Sequence, residues 1–478
     1  MGPDVIITEN NNINYNIDPY NNVAVYIGEF EKGPINEPKF VTDILQFKQM
    51  FGRAREFNYN HWYQVYNFLQ YAKGIYVCRT AGEIRINAEA NSTLVNSSGE
   101  WGNIFSIEIY KSSDWNNSKY LREVFNKEYL NKEYLVVLRR LDVIVEFFSL
   151  NTADELNSFY LQNINLECGT FKFENGYTER ASDLNFAESY NLFTKEDYEI
   201  DIIIADEDHN LEAIKLAESR RDCVAFLGLP RKYIETIKVN ENTLVTENGL
   251  IIYLGMNELK YVLNAEDYSL IDNYINSLPK SNYAFFVIGF AVINDGFTNK
   301  NRIVNLIADV AGLKVKQSYN NPWSVGIGVE KGTVNYEAVT LLINKKWSSS
   351  LYKKGVNSFE KNTLMTQKLF IDKPNLINRL YQRNILNYIE RITEKMVRKY
   401  IFYINNRSTR GNIAGNLKIL LDEIISMKGL EAAKVQVSPN SEDSIIINIT
   451  IKLPSVSEYI VLRMQNVGTK IFSEVIGG

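Results

Sequence analysis

From about residue 185 onward, short apolar runs alternate with segments of helical periodicity, and this alternation restricts the fold class. The runs "EIDIIIA" (199–205), "DCVAFLGLP" (222–230) and "YAFFVIGFAVI" (283–293) each predict a buried strand. Between the first two lies "NLEAIKLAESRR" (210–221), whose apolar residues recur at helical spacing. Strands and helices in this order favour a layered sheet with helices on its faces.

The segment 23–88 follows the same pattern in a shorter form. We expect Thr42 to cap its first helix and Gly52 to end that helix. The predicted elements are a strand at 23–27, a bend pinned by glycine and proline at 28–41, helices at 43–51 and 60–72, and a strand at 75–81.

Residues 89–184 break this alternation. A stretch rich in Ser, Asn and Gly is followed by short β-type runs such as "IFSIEIY" and "DVIVEFFSL", which predict a small, mainly β domain inserted into the core. The predicted fold class is therefore α/β (α+β) and multidomain: a layered core, an inserted mainly β domain, and terminal strands. The predicted divisions are an N-terminal exchange arm (1–22), the core in two parts (23–88 and 185–374), the insertion (89–184), a C-terminal inner domain of two helices and a hairpin (375–464), and a C-terminal arm (465–478).

The composition argues against most kinds of chemistry. The chain has 478 residues and a formal net charge of −5, which gives no sign of a nucleic-acid-binding protein. It has two histidines, His61 and His209, and three scattered cysteines, so groups for acid–base, nucleophilic or metal chemistry are scarce. The longest apolar run, 283–293, is far shorter than the ~20 residues of a membrane-spanning helix. We therefore predict no enzyme activity, no catalytic residues, no cofactor, no metal site, no direct nucleic-acid partner and no stable membrane insertion.

One loop admits another interpretation. "ADEDHN" (205–210) places Asp206, Glu207, Asp208 and His209 directly after a predicted strand, where α/β enzymes often carry an active site. A metal site or an acid–base site of an α/β enzyme is the functional interpretation. The structural interpretation, which we favour, is a solvated loop in which Asp208 or Asn210 caps the following helix.

Both ends of the chain carry strand patterns outside any predicted core. Strands are predicted at 4–8 and 13–17, and "SIIINITIKL" (444–453) and "EYIVLRM" (458–464) predict a hairpin. A terminal strand without a local partner is a liability in a monomer, but it is useful when it adds to a neighbour's sheet. Two interpretations stay open: the strands exchange between copies of the chain, or the arm folds back on its own domain. The residues predicted for inter-subunit exchange are Val5, Ile7, Ile13, Tyr15, Ile17, Ile447, Ile449, Ile451, Tyr459 and Val461.

The segment 375–405 predicts one long amphipathic helix with a basic face. Its apolar stripe runs from Ile377 to Tyr400. Two interpretations of the basic face are open: a docking surface for an acidic protein partner, or an ordinary solvated helix face. The basic residues are Arg379, Arg383, Arg391, Lys395, Arg398 and Lys399, which outnumber Glu390 and Glu394.

Several blocks of the sequence resemble contractile tail sheath proteins of phages, R-type tailocins and related injection machines. "VAVYIGEFEKGPINEPKFVTDILQFKQMFG" (23–52) and "YNFLQYAKGIYVCRTAG" (66–82) resemble that family's N-terminal signature. "ESRRDCVAFLGLP" (218–230) and "NRIVNLIADVAGLKVKQSYNNPWSVGIGVEKG" (301–332) resemble two later blocks. In the last block Ala311-Gly312-Leu313 and Pro322-Trp323 hold the key positions, whereas Lys314-Val315-Lys316 departs from the usual Tyr-Ala-Arg.

The resemblance implies a structural subunit rather than an enzyme. Such subunits form hexameric rings stacked into a helical sheath around a tail tube, and the sheath contracts to drive the tube through a target cell envelope. The implied partners are other copies of the chain, the tail tube protein, and the baseplate and tail terminator proteins. The implied location is the virion tail, after assembly in the host bacterial cytoplasm. Arg391, Lys395, Arg398 and Lys399 are then expected to face the tube, and a related non-phage contractile injection system is the alternative setting.

Overall fold

The computed structural model describes residues 22–454 with short gaps, together with two short strands near the start of the chain. The chain divides into two compact units, a larger one at Val5–Lys395 and a smaller one that combines Met1–Asp4 with Met396–Gly478. The gaps within 22–454 are 127–130, 195–196, 234–235, 241–242, 247–250, 256–257, 263–264, 299, 320–321, 336–337, 343–344, 361, 374–376 and 442–443.

The helices include the predicted segments 43–51, 60–72 and 210–221 and part of 375–405, with corrections at their ends, and others that were not predicted. They are α1 Ile44–Phe51, α2 Tyr59–Leu69, α3 Lys119–Val124, α4 Asp183–Asn191, α5 Asn210–Arg220, α6 Ala265–Ser277, α7 Ile307–Ser318, α8 Lys345–Lys353, α9 Leu380–Val397 and α10 Arg407–Ser426.

The strands include the predicted apolar runs and others that were not predicted. They are β1 Ile7–Glu9, β2 Ile13–Tyr15, β3 Ala24–Gly28, β4 Lys39–Val41, β5 Ile75–Arg79, β6 Arg85–Ala90, β7 Thr93–Ser98, β8 Phe105–Lys111, β9 Tyr134–Arg140, β10 Val143–Leu150, β11 Gly169–Lys172, β12 Tyr177–Thr178, β13 Ile202–Ile204, β14 Val224–Gly228, β15 Thr236–Asn240, β16 Thr243–Thr246, β17 Ile251–Gly255, β18 Glu258–Val262, β19 Ala284–Ile288, β20 Phe290–Asp295, β21 Lys300–Asn305, β22 Ala338–Leu342, β23 Val356–Glu360, β24 Thr363–Leu364, β25 Ala432–Pro439 and β26 Ile445–Lys452.

The core of the larger unit is an eight-stranded sheet in the order β24-β23-β19-β14-β13-β3-β5-β4. Its six inner strands are parallel, and a short antiparallel strand lies at each edge. The central strands β3, β13, β14 and β19 are buried at every position because helices cover both faces, which explains their continuous apolar runs. The α/β multidomain class predicted from the alternation is confirmed.

The predicted single strand at 283–293 is wrong. The run divides at Gly289 into β19, which belongs to the eight-stranded sheet, and β20, which belongs to a seven-stranded sheet of order β15-β16-β17-β18-β22-β20-β21. A Cβ atom at Gly289 would lie 2.5 Å from Phe359 Cδ2, so the close approach of β23 requires glycine at the point where the chain changes sheets.

The insertion contains two antiparallel sheets, β10-β9-β8-β11 and β12-β6-β7. Their apolar faces enclose a separate core that includes Trp101, Phe105, Ile107 and Phe173. The sheets span 85–178, but the predicted domain boundaries themselves stay predictions.

The bend at 28–41 contains regular secondary structure, which was not expected of a loop. Its end forms β4, an edge strand antiparallel to β5, which the sequence did not predict. Gly33 has φ +106°, and its N–H donates to Ser97 Oγ at 2.9 Å, so the bend is tied to the insertion. Arg79, buried at the end of β5, donates to Gly33 O at 2.9 Å and to Ser98 O at 3.2 Å.

The cap of α1 also differs from the prediction. Asp43, rather than Thr42, accepts hydrogen bonds from Leu45 N and Gln46 N at 2.8 and 2.9 Å. Gly52 ends the helix as predicted, with φ +81°.

In the smaller unit, β25 and β26 form an antiparallel pair that packs on α10. The predicted strand at 444–453 is confirmed as β26, but its partner is β25, which the sequence analysis did not identify. The segment 458–464, predicted as that partner, lies outside the described residues. In the described residues no helix is both long and apolar enough to cross a membrane.

Candidate functional site

The loop between β13 and α5 is buried except at Asp208, so the expected solvated loop is wrong. Asp206 and Glu207 are each 3% exposed, and His209 is 8% exposed. Helix α5 begins after His209 without a side-chain cap, so neither Asp208 nor Asn210 caps it. Asn210 instead donates to Gly228 O and to the Tyr274 hydroxyl, both at 2.7 Å. The loop lies beneath other elements, a placement that its polar sequence does not reveal.

Both histidines of the chain meet at Asp206. His209 Nδ1 lies 2.7 Å from Asp206 Oδ2, and His61 Nδ1, carried by α2, lies 3.5 Å from Asp206 Oδ1. His209 Nε2 is 3.3 Å from Asp183 Oδ1 at the start of α4. The Tyr26 hydroxyl on β3 lies 3.1 Å from His61 Nδ1. The fold thus joins residues that are far apart in sequence.

Charge pairing determines the protonation of this cluster. Burial alone would raise the pKa of Asp206, but the charge of His61 and the hydrogen bond to His209 outweigh it, so the pKa is lowered. Burial alone would lower the pKa of His209, yet the hydrogen bond and charge of Asp206 raise it. The charged pair Asp206⁻–His209⁺ is therefore the favoured state in mildly acidic solution.

Glu207 behaves in the opposite way. Burial raises its pKa to about 7, although Arg231 Nε lies 2.8 Å from its carboxylate and acts to lower the pKa. The Asn305 side-chain amide donates to the same carboxylate at 3.3 Å. Two neighbouring carboxyl groups in one loop thus titrate differently.

This cluster has the parts of an acid–base dyad but the surroundings of a structural network. The His209 ring stacks on Phe186 with ring centroids 3.8 Å apart, and both of its nitrogens have carboxylate partners. Within the described ranges, no group of three or more His, Cys, Asp or Glu side chains is placed to hold a metal ion. The geometry supports a polar network that ties α2, α4 and β3 to the β13–α5 loop.

The predicted basic face of the long helix is largely buried. Arg383 is fully buried with its guanidinium 4.2 Å from the Tyr283 ring centroid. Arg391 is 7% exposed, forms an ion pair with Asp201, and donates from Nη2 to Asp222 O at 2.8 Å. Glu390 and Glu394 are buried as well. The expectation that Arg391 faces the tube is therefore wrong for this folded chain, because the eight-stranded core occupies its side of α9.

The remaining predicted tube-facing residues are exposed. Lys395, Arg398 and Lys399 all reach the surface near the end of α9. The helix ends at Val397, rather than continuing to 405 as predicted. Phe402 has φ +71°, a conformation incompatible with a helix, and Phe402, Tyr403 and Ile404 are 88%, 62% and 77% exposed. This apolar loop is not predictable from the sequence, because its residues continue the helical apolar pattern.

The terminal strands predicted for exchange fall into three groups. Ile7, Ile13 and Tyr15 belong to β1 and β2, which pair with each other as a short antiparallel hairpin. Ile447, Ile449 and Ile451 alternate along β26 and are half-buried. Val5, Ile17, Tyr459 and Val461 lie outside the described residues.

The hydrogen bonds of the smaller unit show which edge of β26 is open. Glu431 N donates to Lys452 O at 2.8 Å, and the register with β25 has no shift. Backbone N–H and C=O groups alternate sides along an antiparallel strand, so those of Lys452, Thr450 and Asn448 point toward β25. The backbone N–H and C=O groups of Ile447, Ile449 and Ile451 point to the opposite edge of β26, which has no partner strand in the described residues.

Of the comparisons with known proteins, the one with solved structures finds matches, and the matched structures are sheath proteins. Comparison with protein-family models finds no matching family, and comparison with curated proteins finds no matching relative. Among solved structures, the chain is similar to the sheath tail protein Lin1278 from Listeria innocua, with a TM-score of 0.62 and 13% identity over 90% of this chain and 91% of that one. A sheath tail protein from Desulfitobacterium hafniense matches with a TM-score of 0.56 and 11% identity over 91% and 97% of the two chains.

A third match comes from an assembled machine. The sheath of the extracellular contractile injection system PVC, in its contracted state, matches with a TM-score of 0.54 and 10% identity over 98% of this chain and 99% of that one. These likenesses show that the chain has the fold of sheath proteins across nearly its whole length.

Proposed function

We propose that this chain is the structural subunit of a contractile tail sheath, which polymerises helically around a tail tube and contracts to drive the tube through a target cell envelope. The observation that supports this most strongly is the match to two sheath tail folds, which covers 90% and 91% of this chain. The sequence blocks at 23–82 and 301–332 independently resemble the same family. An enzyme built on the loop at 205–210 is not favoured, because that loop is buried and internally paired.

A related non-phage contractile injection system is the second setting for the same role. The match to the PVC sheath covers 98% of this chain, slightly more than the matches to the sheath tail proteins. Both settings require the same subunit behaviour, so they differ in the particle that carries the sheath rather than in the work that the subunit does.

The assembly would consist of hexameric rings stacked into a helical sheath, with the tail tube inside and baseplate and tail terminator proteins at its ends. The particle would be a virion tail assembled in the host bacterial cytoplasm. Contraction needs two packings of one folded subunit and tethers that persist through the change. Backbone hydrogen bonds of an added strand suit this role, since rigid bodies can rotate while the strand stays paired.

The exchange strands would be β1 and β2 at the start of the chain and β26 near its end. The open edge of β26 presents the backbone groups of Ile447, Ile449 and Ile451. A two-stranded sheet is marginal by itself in water, and a third strand from a neighbour would stabilise it. Val5, Ile17, Tyr459 and Val461 are proposed for the same exchange from their sequence pattern.

The proposed contact with the tube uses Lys395, Arg398 and Lys399. Their exposure supports electrostatic attraction to an acidic tube surface, and such attraction weakens as salt concentration rises. Arg391 no longer belongs to this set.

Negative-stain electron microscopy of the purified full chain tests the proposal. We expect hollow tubes of stacked rings from the full chain, and only soluble particles after deletion of residues 1–20, because the described core begins after them. Circular dichroism should show the same folded content in both proteins. Tubes formed by the shortened chain would contradict exchange through the N-terminal arm, whereas a full chain that stays monomeric under all conditions would contradict the sheath role.

A further inference from the structure

Lys314 carries a buried positive charge that has few hydrogen-bond partners in the described structure. It lies on α7, is 6% exposed, and its Nζ has one hydrogen-bond partner in the described structure, Asn22 Oδ1 at 3.1 Å. A lysine ammonium has three N–H donors, and a buried charge is normally paired. Burial lowers the pKa of Lys314 to about 8, so the side chain still carries most of its charge at neutral pH. No carboxylate among the described residues forms an ion pair with it.

Lys314 lines a cleft of the larger unit that opens to solvent. The polar lining of this cleft includes Asn22, Asp201, Asn384, Asn387 and Arg391. Arg391 already pairs with Asp201, whose Oδ2 also accepts from Val23 N at 3.2 Å. These two charges cancel, so the charge of Lys314 is the net charge of the lining.

Two side-chain amides of α9 in the same lining each have one atom without a hydrogen-bond partner in the described structure. Asn384 is 8% exposed and its Nδ2 makes no hydrogen bond in the described structure, and Asn387 is 7% exposed with its Oδ1 likewise unpaired. Buried polar groups are nearly always hydrogen-bonded, and each exception calls for an explanation. Three polar groups from α7 and α9 therefore line one cleft with unused hydrogen-bonding capacity.

We propose that this cleft binds a carboxylate carried by a neighbouring copy of this chain. One net positive charge matches one carboxylate, whereas a phosphate at neutral pH carries closer to two negative charges. The carboxylate would accept from Lys314 Nζ and Asn384 Nδ2, and a peptide N–H beside it would satisfy Asn387 Oδ1. Asn22 on the rim is where the N-terminal segment enters the core, so the cleft lies at the base of the arm proposed for exchange.

This inference rests on the proposed sheath assembly for the source of the carboxylate, but the site can be tested without assembly. Sodium N-acetylglycinate, which carries one carboxylate and a neighbouring amide N–H, is titrated into unassembled full-length protein, and the melting temperature is followed by tryptophan fluorescence. We expect a rise of several degrees at millimolar concentration in the wild type and in Lys316→Met, an exposed lysine on the same helix. We expect no rise in Lys314→Met, which keeps the length of the side chain but removes its charge.

Inorganic phosphate at equal ionic strength serves as the comparison anion. A larger rise with phosphate, or an equal rise with N-acetylglycinate in Lys314→Met, would overturn the carboxylate assignment. If the wild type forms tubes, Lys314→Met should need at least a tenfold higher protein concentration to form them, and Lys316→Met should not. Normal assembly of a folded Lys314→Met would overturn the neighbouring-copy source, while failure of the wild type itself to assemble would count against the sheath proposal and leave the carboxylate titration to decide the site.

Discussion

The eight-stranded sheet of the larger unit and the two-stranded sheet of the smaller unit differ in the burial of their strands and in the number of partners that each strand has. In the first, strands such as β13 and β14 are buried at every residue and have a partner strand on both sides. In the second, β25 and β26 alternate half-buried with exposed residues, and the described residues leave an edge of each strand open. The difference teaches that burial on both faces supports stability, whereas an open edge supports association.

The largest expected effect is the loss of association through the smaller sheet. Ile449→Pro removes an N–H that points to the open edge of β26, so we expect tube formation to be lost while the unit stays folded. Thr450→Pro, one residue along, removes an N–H directed at β25 and should unfold the pair. Electron microscopy reports tubes, and circular dichroism reports folding. Tubes from Ile449→Pro would contradict strand addition at this edge.

The next test compares one residue type in the two sheets. Ile203→Ala in β13 should lower the free energy of unfolding by about 2–5 kcal/mol, because it leaves a cavity in a fully buried position. Ile446→Ala in β26, where isoleucine is 41% exposed, should change it by no more than about 0.5 kcal/mol. Urea unfolding followed by tryptophan fluorescence reports the larger unit, since all five tryptophans lie between 62 and 347; hydrogen exchange reports β26. Equal losses in the free energy of unfolding for the two variants would contradict the proposed difference between the two sheets.

A smaller, pH-dependent effect belongs to the polar cluster at the end of β13. His209→Gln should lower the free energy of unfolding by about 1–3 kcal/mol at pH 6, because Asp206 loses a buried partner. The pKa of His209 is raised by folding, so its contribution is complete below the unfolded pKa of ~6.5 and declines as pH rises through the folded value. Asp206, whose pKa is lowered, stays ionised throughout.

Urea unfolding at pH 6 and pH 8.5 measures this difference between the wild type and His209→Gln. The matched control is Asp208→Asn in the same loop, which should change stability by no more than about 0.5 kcal/mol because its pair with Lys232 is exposed. A difference that grows with pH would show that the charged pair is not what stabilises the loop.

The smallest effect on stability should come from the exposed lysines and arginine near the end of α9. Reversal of Lys395, Arg398 and Lys399 to Glu should change the free energy of unfolding by no more than about 0.5 kcal/mol. It should nevertheless weaken co-assembly with the tail tube protein and leave self-assembly intact. Reversal of Lys316, Lys418 and Lys428 gives the same change of net charge at other exposed positions. Equal effects of the two triple variants on tube binding would refute the assignment.

The candidate sites show where reasoning from sequence stops. His61 and His209 are 148 residues apart, and their meeting at Asp206 has no signature in the pattern of either segment. Arg391 has the spacing of a solvated basic face, yet Asp201 and Asp222 O hold it inside the protein. A charged residue is predicted to be exposed because burial of an unpaired charge is costly, and only the fold reveals that its partner is buried too.

The sequence by itself determined the α/β alternation, the apolar strands, and the ends of helices such as α1 and α5, because these depend on periodicity and on residues such as Gly52 that act locally. Only the tertiary structure decided which strands pair, that 283–293 divides between two sheets at Gly289, and that β26 pairs with β25. It also placed Lys314 and two unpaired asparagines in one cleft. Strand partners and buried charges depend on contacts between distant segments, and local patterns carry little information about such contacts.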